Sequence, residues 1–440
     1  MNASFKPAGA RDWCVLALVF AGFLVAAIRI SGAPPAADFA VAAHSQVAPE
    51  PAPLAPGGKL RADAGFVSST PGQAVHAASA VALKDGSLRA VWFSGSREGA
   101  GDVAIRTAVM NAATFEWGTE STIIERKRLE QGLWRYVKKI GNPVIARAPD
   151  GSLYIWLVNV SLGGWAGSAI TWIRSTDDGV TWGQPRRLVT SPFINISTLV
   201  KGGPVAYADG TIGLPVYHEF ITKFAEILRI DRNGRVIDKT RIPGSQASLQ
   251  PVVLVENAQK ARVYMRSGNA TAVMASETVD AGRTWSTTAG IGWPNPDSAL
   301  AGVVTSSGTQ WLALNPNERT RETLSLLKAG PDGRFDGANP LVVESSPTPS
   351  RRATVAEYEA ILGKELQASG SNPAQIQAYI DSAKRQLCNG ENCAQEFSYP
   401  YLIQGPDGHL HLFYTWHRAR IKHVRIDPLK PVLQVSVPQP

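Results

Sequence analysis

Ser175 to Trp182 reads STDDGVTW, and Thr278 to Trp285 reads TVDAGRTW, two copies of the pattern Ser/Thr-x-Asp-x-Gly-x-Thr-Trp. In each copy the aspartate can accept bonds from backbone amides of its own turn, the glycine can take a positive φ, and the tryptophan can pack between neighbouring sheets. The motif predicts a repeated structural staple on an all-β chain.

Working outward from it, strand–turn–strand units recur along the sequence. They read HAASAVALKDGSLRAVWF from His76, NPVIARAPDGSLYIWLV from Asn142, GPVAYADGTIGLPVYHE from Gly203, QPVVLVENAQKARVYMRS from Gln250, NPDSALAGVVTSSGTQWLALNP from Asn295 and YPYLIQGPDGHLHLFYTW from Tyr399. Short strands joined by Asp-Gly turns at this spacing suit one four-stranded sheet per unit, and radial repetition of such sheets protects their edges. The expected fold is therefore a six-bladed β-propeller over residues 65–430. Its equivalent first residues, His76, Asn142, Gly203, Gln250, Asn295 and Tyr399, should ring one mouth. Before the last unit, Thr354 and Glu357 stand in capping-box spacing, and Asn372 with Pro373 opens a second helical pattern. A helical hairpin inserted at about 345–396 is expected there.

Composition bounds the rest. With 440 residues, 44% hydrophobic and 18% charged, the chain can bury a large core. The net charge of +8 is spread over scattered Lys and Arg, which argues against a nucleic-acid partner. Lys6 and Arg11 precede the apolar run Trp13 to Ile28, so residues 1–30 are expected to be a signal peptide or an N-terminal membrane anchor. The Pro- and Ala-rich residues 31–64, including APEPAPLAPGG, read as an extended linker. The chain is then expected to be exported, either periplasmic or extracellular or held at the inner membrane by residues 13–28. In such a compartment Cys388 and Cys393 of CNGENC predict a disulfide. His409, His411, His417 and His423 lack metal-site spacing; no metal and no cofactor are expected, and the protein is expected to be a monomer.

The repeated Asp pattern, SREGAGD near the start and SYPYLIQGPDGHLHLFYTWHRARIKHVR near the end resemble the sialidase (neuraminidase) superfamily, in its bacterial BNR-repeat "predicted neuraminidase" type. The resemblance covers about residues 66 to 427 and implies hydrolysis of an acidic or decorated glycan. It transfers unevenly. Arg266 and Arg321 match two of the three arginines that hold a substrate carboxylate, since planar guanidinium groups bond carboxylates bidentately. His76 stands where the first arginine would be. Tyr399 matches the tyrosine nucleophile, which suits a reacting carbon whose own carboxylate would repel an acidic nucleophile. Gln250 stands where a glutamate would polarise that tyrosine, and Gln cannot take a proton. Asp102 in SREGAGD matches the acid/base.

From the residues themselves, Glu219 at the end of LPVYHEF is a candidate replacement for the missing carboxylate. Arg97 and Glu98, in a glycine-flanked loop, read either as site residues or as a solvated pair. Three functions follow: a sialidase-like glycoside hydrolase; a polysaccharide lyase in which His76 or Tyr399 takes the proton beside a uronate carboxylate; and a noncatalytic glycan-binding propeller.

Overall fold

The computed structural model describes residues 9–31, 37–41, 60–191, 195–428 and 433–434. Among these the chain is mostly β, and six larger sheets follow one another along it. The first is built from Ala74–Ala82, Leu88–Gly95, Ala104–Met110 and Ser121–Glu125, and the second opens with Lys139–Arg147. In the third the opening strand is split into Leu199–Val200 and Val205–Ala206, both paired with Ile212–His218. The fourth, fifth and sixth open with Ser248–Val255, Ala301–Val304 and Phe397–Gln404. Within each, consecutive strands pair antiparallel, the order that short turns dictate. Successive sheets touch in chain order, through their opening strands except that the third meets the fourth through Ile212–His218, and the opening strand of the sixth touches that of the first. The early strand Leu60–Phe66 pairs with Arg420–Ile426, so both ends of the chain share the sixth sheet. A small seventh sheet lies in the helical insertion.

Both Asp-pattern turns adopt one hydrogen-bond network. Asp177 accepts Thr181 N–H at 2.9 Å and Ser175 Oγ–H at 2.7 Å, while Gly179 N–H reaches Ser175 Oγ at 2.8 Å. Asp280 accepts Thr284 N–H at 2.9 Å and Thr278 Oγ1–H at 2.8 Å, with Gly282 N–H on Thr278 Oγ1 at 3.0 Å. Gly179 and Gly282 take φ of 90° and 83°, where a Cβ is costly. Trp285 is buried among residues of the third and fourth sheets, and Trp182 packs on the core shared by the first and second. The staple reading of the motif is thus realised in both copies.

The insertion contains α3 (Val355–Ala368) and α4 (Pro373–Leu387), while α1 is Ala10–Ser31 and α2 Arg126–Leu133. Capping boxes Thr354–Glu357 and Asn372–Gln375 start α3 and α4, and Pro373 occupies the first turn of α4. Tyr358, Leu362 and Leu366 of α3 are buried against Tyr414 and Trp416 of the sixth sheet, and each such apolar side chain contributes roughly 1.5–3 kcal/mol. The Cys388–Cys393 disulfide follows α4.

Two expectations about where the folded part lies need correction. Residues 31–64 are not a uniform tether. Phe39 is buried, stacks on Tyr207 with ring centres 5.2 Å apart and donates its N–H to Ala258 O, because a large ring there fills the gap between the third and fourth sheets. The folded part also starts before residue 65, at Leu60. The stretch APEPAPLAPGG and Lys6 lie outside the described residues. The apolar run does form a helix, α1, with Trp13, Leu18 and Phe20 exposed, but among the described residues no helix is long and apolar enough to cross a membrane.

Candidate functional site

Four of the six opening strands carry the same irregularity. The pairing register shifts between His76 and Ser79, Gly141 and Val144, Leu249 and Val252, and Ser398 and Tyr401. Inside each bulge one residue turns to positive φ: Ala77 at 55°, Asn142 at 42°, Gln250 at 52° and Tyr399 at 52°. Pro143, Pro251 and Pro400 follow, where the bulge requires no ladder N–H. Such conformations are costly for non-glycine residues and recur at functional sites. Here they bring Gln250 and Tyr399 together at one end of the opening strands.

Gln250 Nε2 donates to Tyr399 Oη at 3.1 Å, and Gln250 Oε1 accepts from Arg266 Nη1 at 3.1 Å. Arg266 Nη1 also lies 3.5 Å from Tyr399 Oη, and Arg266 Nε binds Asp297 Oδ1 at 2.6 Å. The arginine thus orients the amide so that two donors converge on the phenol oxygen. Tyr217, buried, receives weaker bonds from Gln250 and Asn142 at 3.5 and 3.4 Å, and burial pushes its phenol well above the usual range. The His76 ring centre lies 4.1 Å from that of Tyr399. Burial first, then Arg418, Arg321, Lys201 and Arg266, hold His76 well below its ordinary pKa, so it is neutral at physiological pH.

Two further guanidinium groups border this cluster. Glu396 Oε1 lies 3.0 Å from Arg418 Nε and 3.5 Å from Arg321 Nη1. Although Glu396 is buried, Arg418 and Arg321 keep its pKa below the usual value. Arg418 also pairs with Glu98 at 3.2 Å, and Arg321 Nη2 donates to Asp297 O at 2.8 Å. Arg266, Arg321 and Arg418 come from three different sheets, the last from the turn before Arg420–Ile426. Fixed donors of this kind can hold a planar carboxylate.

The carboxyl candidates separate. Asp102 is exposed and accepts Ser96 N–H at 2.9 Å and Ser96 Oγ–H at 3.0 Å, closing the turn between the second and third strands of the first sheet. Glu219 has its backbone N–H on Ser197 Oγ at 2.8 Å. Burial raises the Glu219 pKa against the pull of Arg266 and Lys223, the direction a general acid requires. Its carboxylate does not bond Tyr399, whose partners are the two donors Gln250 and Arg266.

Not every expected residue reaches the mouth. Asn295 is fully buried and bonds the backbone of Ser298 and Ser267, so in the fifth unit Asp297, at φ 54°, takes its place beside Arg266. His76 sits one residue before the bulge position, which belongs to Ala77. Arg97 is exposed, while its neighbour Glu98 reaches Arg418. Gly203 leaves room for Tyr401, whose hydroxyl would lie 3.0 Å from a Cβ there. Sequence reasoning missed Asp297, Arg418, Glu396 and Lys201. Asp297 lay beside the Asn-Pro that opens the fifth unit, and Arg418 inside the SYPYLIQGPDGHLHLFYTWHRARIKHVR stretch that carries the resemblance.

The description "BNR repeat-like domain" matches residues 86–412. No curated protein matches. Among solved structures, the Hadza microbial sialidase Hz136 aligns with TM-score 0.57 at 13% identity, over 80% of this chain and 65% of its own. The chain therefore spans slightly less than two thirds of that relative. A protein of unknown function from Dyadobacter fermentans aligns with TM-score 0.61 at 11% identity over 85% of this chain and all of its own length, 100%. An intramolecular trans-sialidase from Ruminococcus gnavus aligns with TM-score 0.57 at 11% identity, over 84% and 96%. At these identities the likeness is one of fold.

Proposed function

The chain belongs to the BNR repeat-like family with a sialidase-like fold, and from that premise we propose an exported glycoside hydrolase that acts on an acidic glycan at the mouth around Tyr399. The fold itself is taken as a six-bladed propeller, a reading supported by the cyclic order in which successive sheets touch. In this account Arg266 and Arg321 hold the substrate carboxylate, joined by Arg418. Tyr399 is the nucleophile or the stabiliser of the positive charge that develops on the sugar. The Arg266 guanidinium and the Gln250 amide N–H both point at its oxygen. Asp102 serves as acid/base on the exposed loop, with Glu219 as the second carboxyl group of the mouth. The observation that carries the proposal is the convergence of Gln250 and Arg266 on the Tyr399 oxygen beside the Arg321–Glu396–Arg418 cluster.

A second reading, glycan binding without turnover, has a specific observation behind it: among the described residues the phenol of Tyr399 has donors as partners and no carboxylate to take its proton. One experiment separates the readings. Purified protein is incubated with sialosides and uronate-terminated glycans, and released sugar and bound glycan are both measured. Hydrolysis predicts free sugar that is lost in Tyr399→Phe while binding persists. Binding without product from any member of the panel leaves the noncatalytic reading. Unsaturated product absorbing in the near ultraviolet would instead mean elimination.

A further inference from the structure

Along the opening strands past Tyr399 lies a cavity of about 510 Å³ that the proposed reaction does not use. Its wall comes from the opening strands of the third to sixth sheets, with Leu254, Leu300, Val303 and Leu402 among the apolar lining and Ala40 of the docked N-terminal segment at its rim. Such a volume lies in the range of small-molecule sites. One cation lines it: Lys201, in the break of the third sheet's opening strand, 2% exposed. Among the described residues its hydrogen bond goes to Pro400 O at 2.7 Å, and no acidic side chain pairs with it. Its ammonium lies 5.5 Å from the ring centre of Tyr401, which shares the cavity wall, and 5.9 Å from that of Tyr399.

A buried ammonium is normally paired, since an unpaired charge in an apolar setting is costly. Here one carbonyl uses one of three N–H donors. Gly202 keeps the backbone beside Lys201 tight against the fourth sheet, because a Cβ there would meet Pro251 O at 2.1 Å. An acidic neighbour would supply the missing charge, and none does. We propose that this cavity binds an anion-headed apolar ligand, of the aliphatic carboxylate class, whose head pairs with Lys201 and whose tail lies along the strand walls. Burial brings Lys201 down to about 7, so the charge that attracts the ligand is present below that pH and is lost above it. The titratable groups facing Lys201 are Tyr399 and Tyr401 of the sixth sheet and His76 of the first, with Arg266, Arg321 and Arg418 beyond them at the mouth. His76 is already neutral and burial pushes the Tyr401 phenol up, so neither mimics this effect.

The test uses the full chain and two probes of equal length, octanoate and octanol, with melting temperature and calorimetric affinity as readouts. At mildly acidic pH octanoate is expected to bind roughly tenfold to a hundredfold more tightly than octanol, the range of a charge-assisted bond. That preference is expected to vanish at alkaline pH, and to vanish in Lys201→Met and in Lys201→Gln, which keeps a donor for Pro400 O. Arg266→Ala should retain it. Equal affinity for the two probes at every pH overturns the proposal. So does loss of the preference in Arg266→Ala, which would locate the carboxylate in the mouth. Should both Lys201 variants fail to fold, the pH dependence of the wild-type preference still decides. The outcome is independent of what the mouth hydrolyses.

Discussion

Gln250 is the residue on which the chemistry turns. It sits at positive φ in the bulge of the fourth sheet's opening strand and places an amide, which can donate but cannot take a proton, against the phenol of Tyr399. Gln250→Glu would put a carboxylate at the same atoms, and Arg266 Nη1, 3.1 Å from the present Oε1, would still orient it. If the protein hydrolyses glycans, this variant should raise turnover by about tenfold or more, since a positioned base contributes at least that much; unchanged turnover would mean that Tyr399 does not lose its proton in the slow step. Arg266→Ala and Arg321→Ala should weaken an acidic sugar by about tenfold or more while leaving binding of its uncharged amide unchanged. Calorimetry with the acid and the amide separates this from general damage. Much of this residue-level picture was legible, because Gln250 and Tyr399 open repeat units and each precedes a proline. Arg418, Glu396 and Lys201 were not. They enter from a turn, a strand approach and a strand break far apart in the chain, and no local periodicity marks a side chain whose role depends on a partner in another sheet.

At the scale of elements, the Asp-pattern turn carries a pH signature. Thr181 and Ser175 hold the Asp177 carboxyl down to about 2, below the ordinary unfolded value of about 3.9. A depressed folded pKa stabilises the fold above the unfolded pKa, and that stability is lost as pH falls toward 2. Asp177→Asn should therefore melt below wild type at neutral pH, with the gap closing as the solution is acidified and with glycan affinity unchanged. A constant gap across that window would show that the turn is held by something other than the ionised carboxylate. The insertion makes a separate prediction. Leu362 is fully buried between α3 and the sixth sheet, so Leu362→Ala should cost about 2–5 kcal/mol, measured by chemical denaturation. The turn and both helix starts were readable because their signals are local: the Asp, Gly and Trp spacing, Thr354 with Glu357, and Asn372 with Pro373. The Phe39 contact was not, since a single aromatic in a Pro- and Ala-rich stretch has no pattern around it.

At the scale of the molecule, the sixth sheet joins the two ends of the chain. Leu60–Phe66 covers the edge of Arg420–Ile426, and Phe66 packs edge-on against Trp416 with ring centres 5.1 Å apart. Deleting residues 1–66 should expose that edge and lower the melting temperature sharply, whereas deleting residues 1–36 should leave it nearly unchanged; equal melting of the two truncations would mean that the paired strand contributes little. The six units were countable because each repeats strand, short turn and strand, with Asp-Gly at the turn in four of them. Their mutual packing was not, because it depends on which opening strands touch. The central claim is that the end of these strands bearing Tyr399 is a glycan site built on Arg266, Arg321 and Arg418. It is tested most directly by a crystal structure of the protein soaked with N-acetylneuraminic acid. The account predicts the sugar carboxylate among the three guanidinium groups, with the anomeric carbon facing Tyr399 Oη. A sugar bound elsewhere, or a mouth without sugar at saturating concentration, would contradict it.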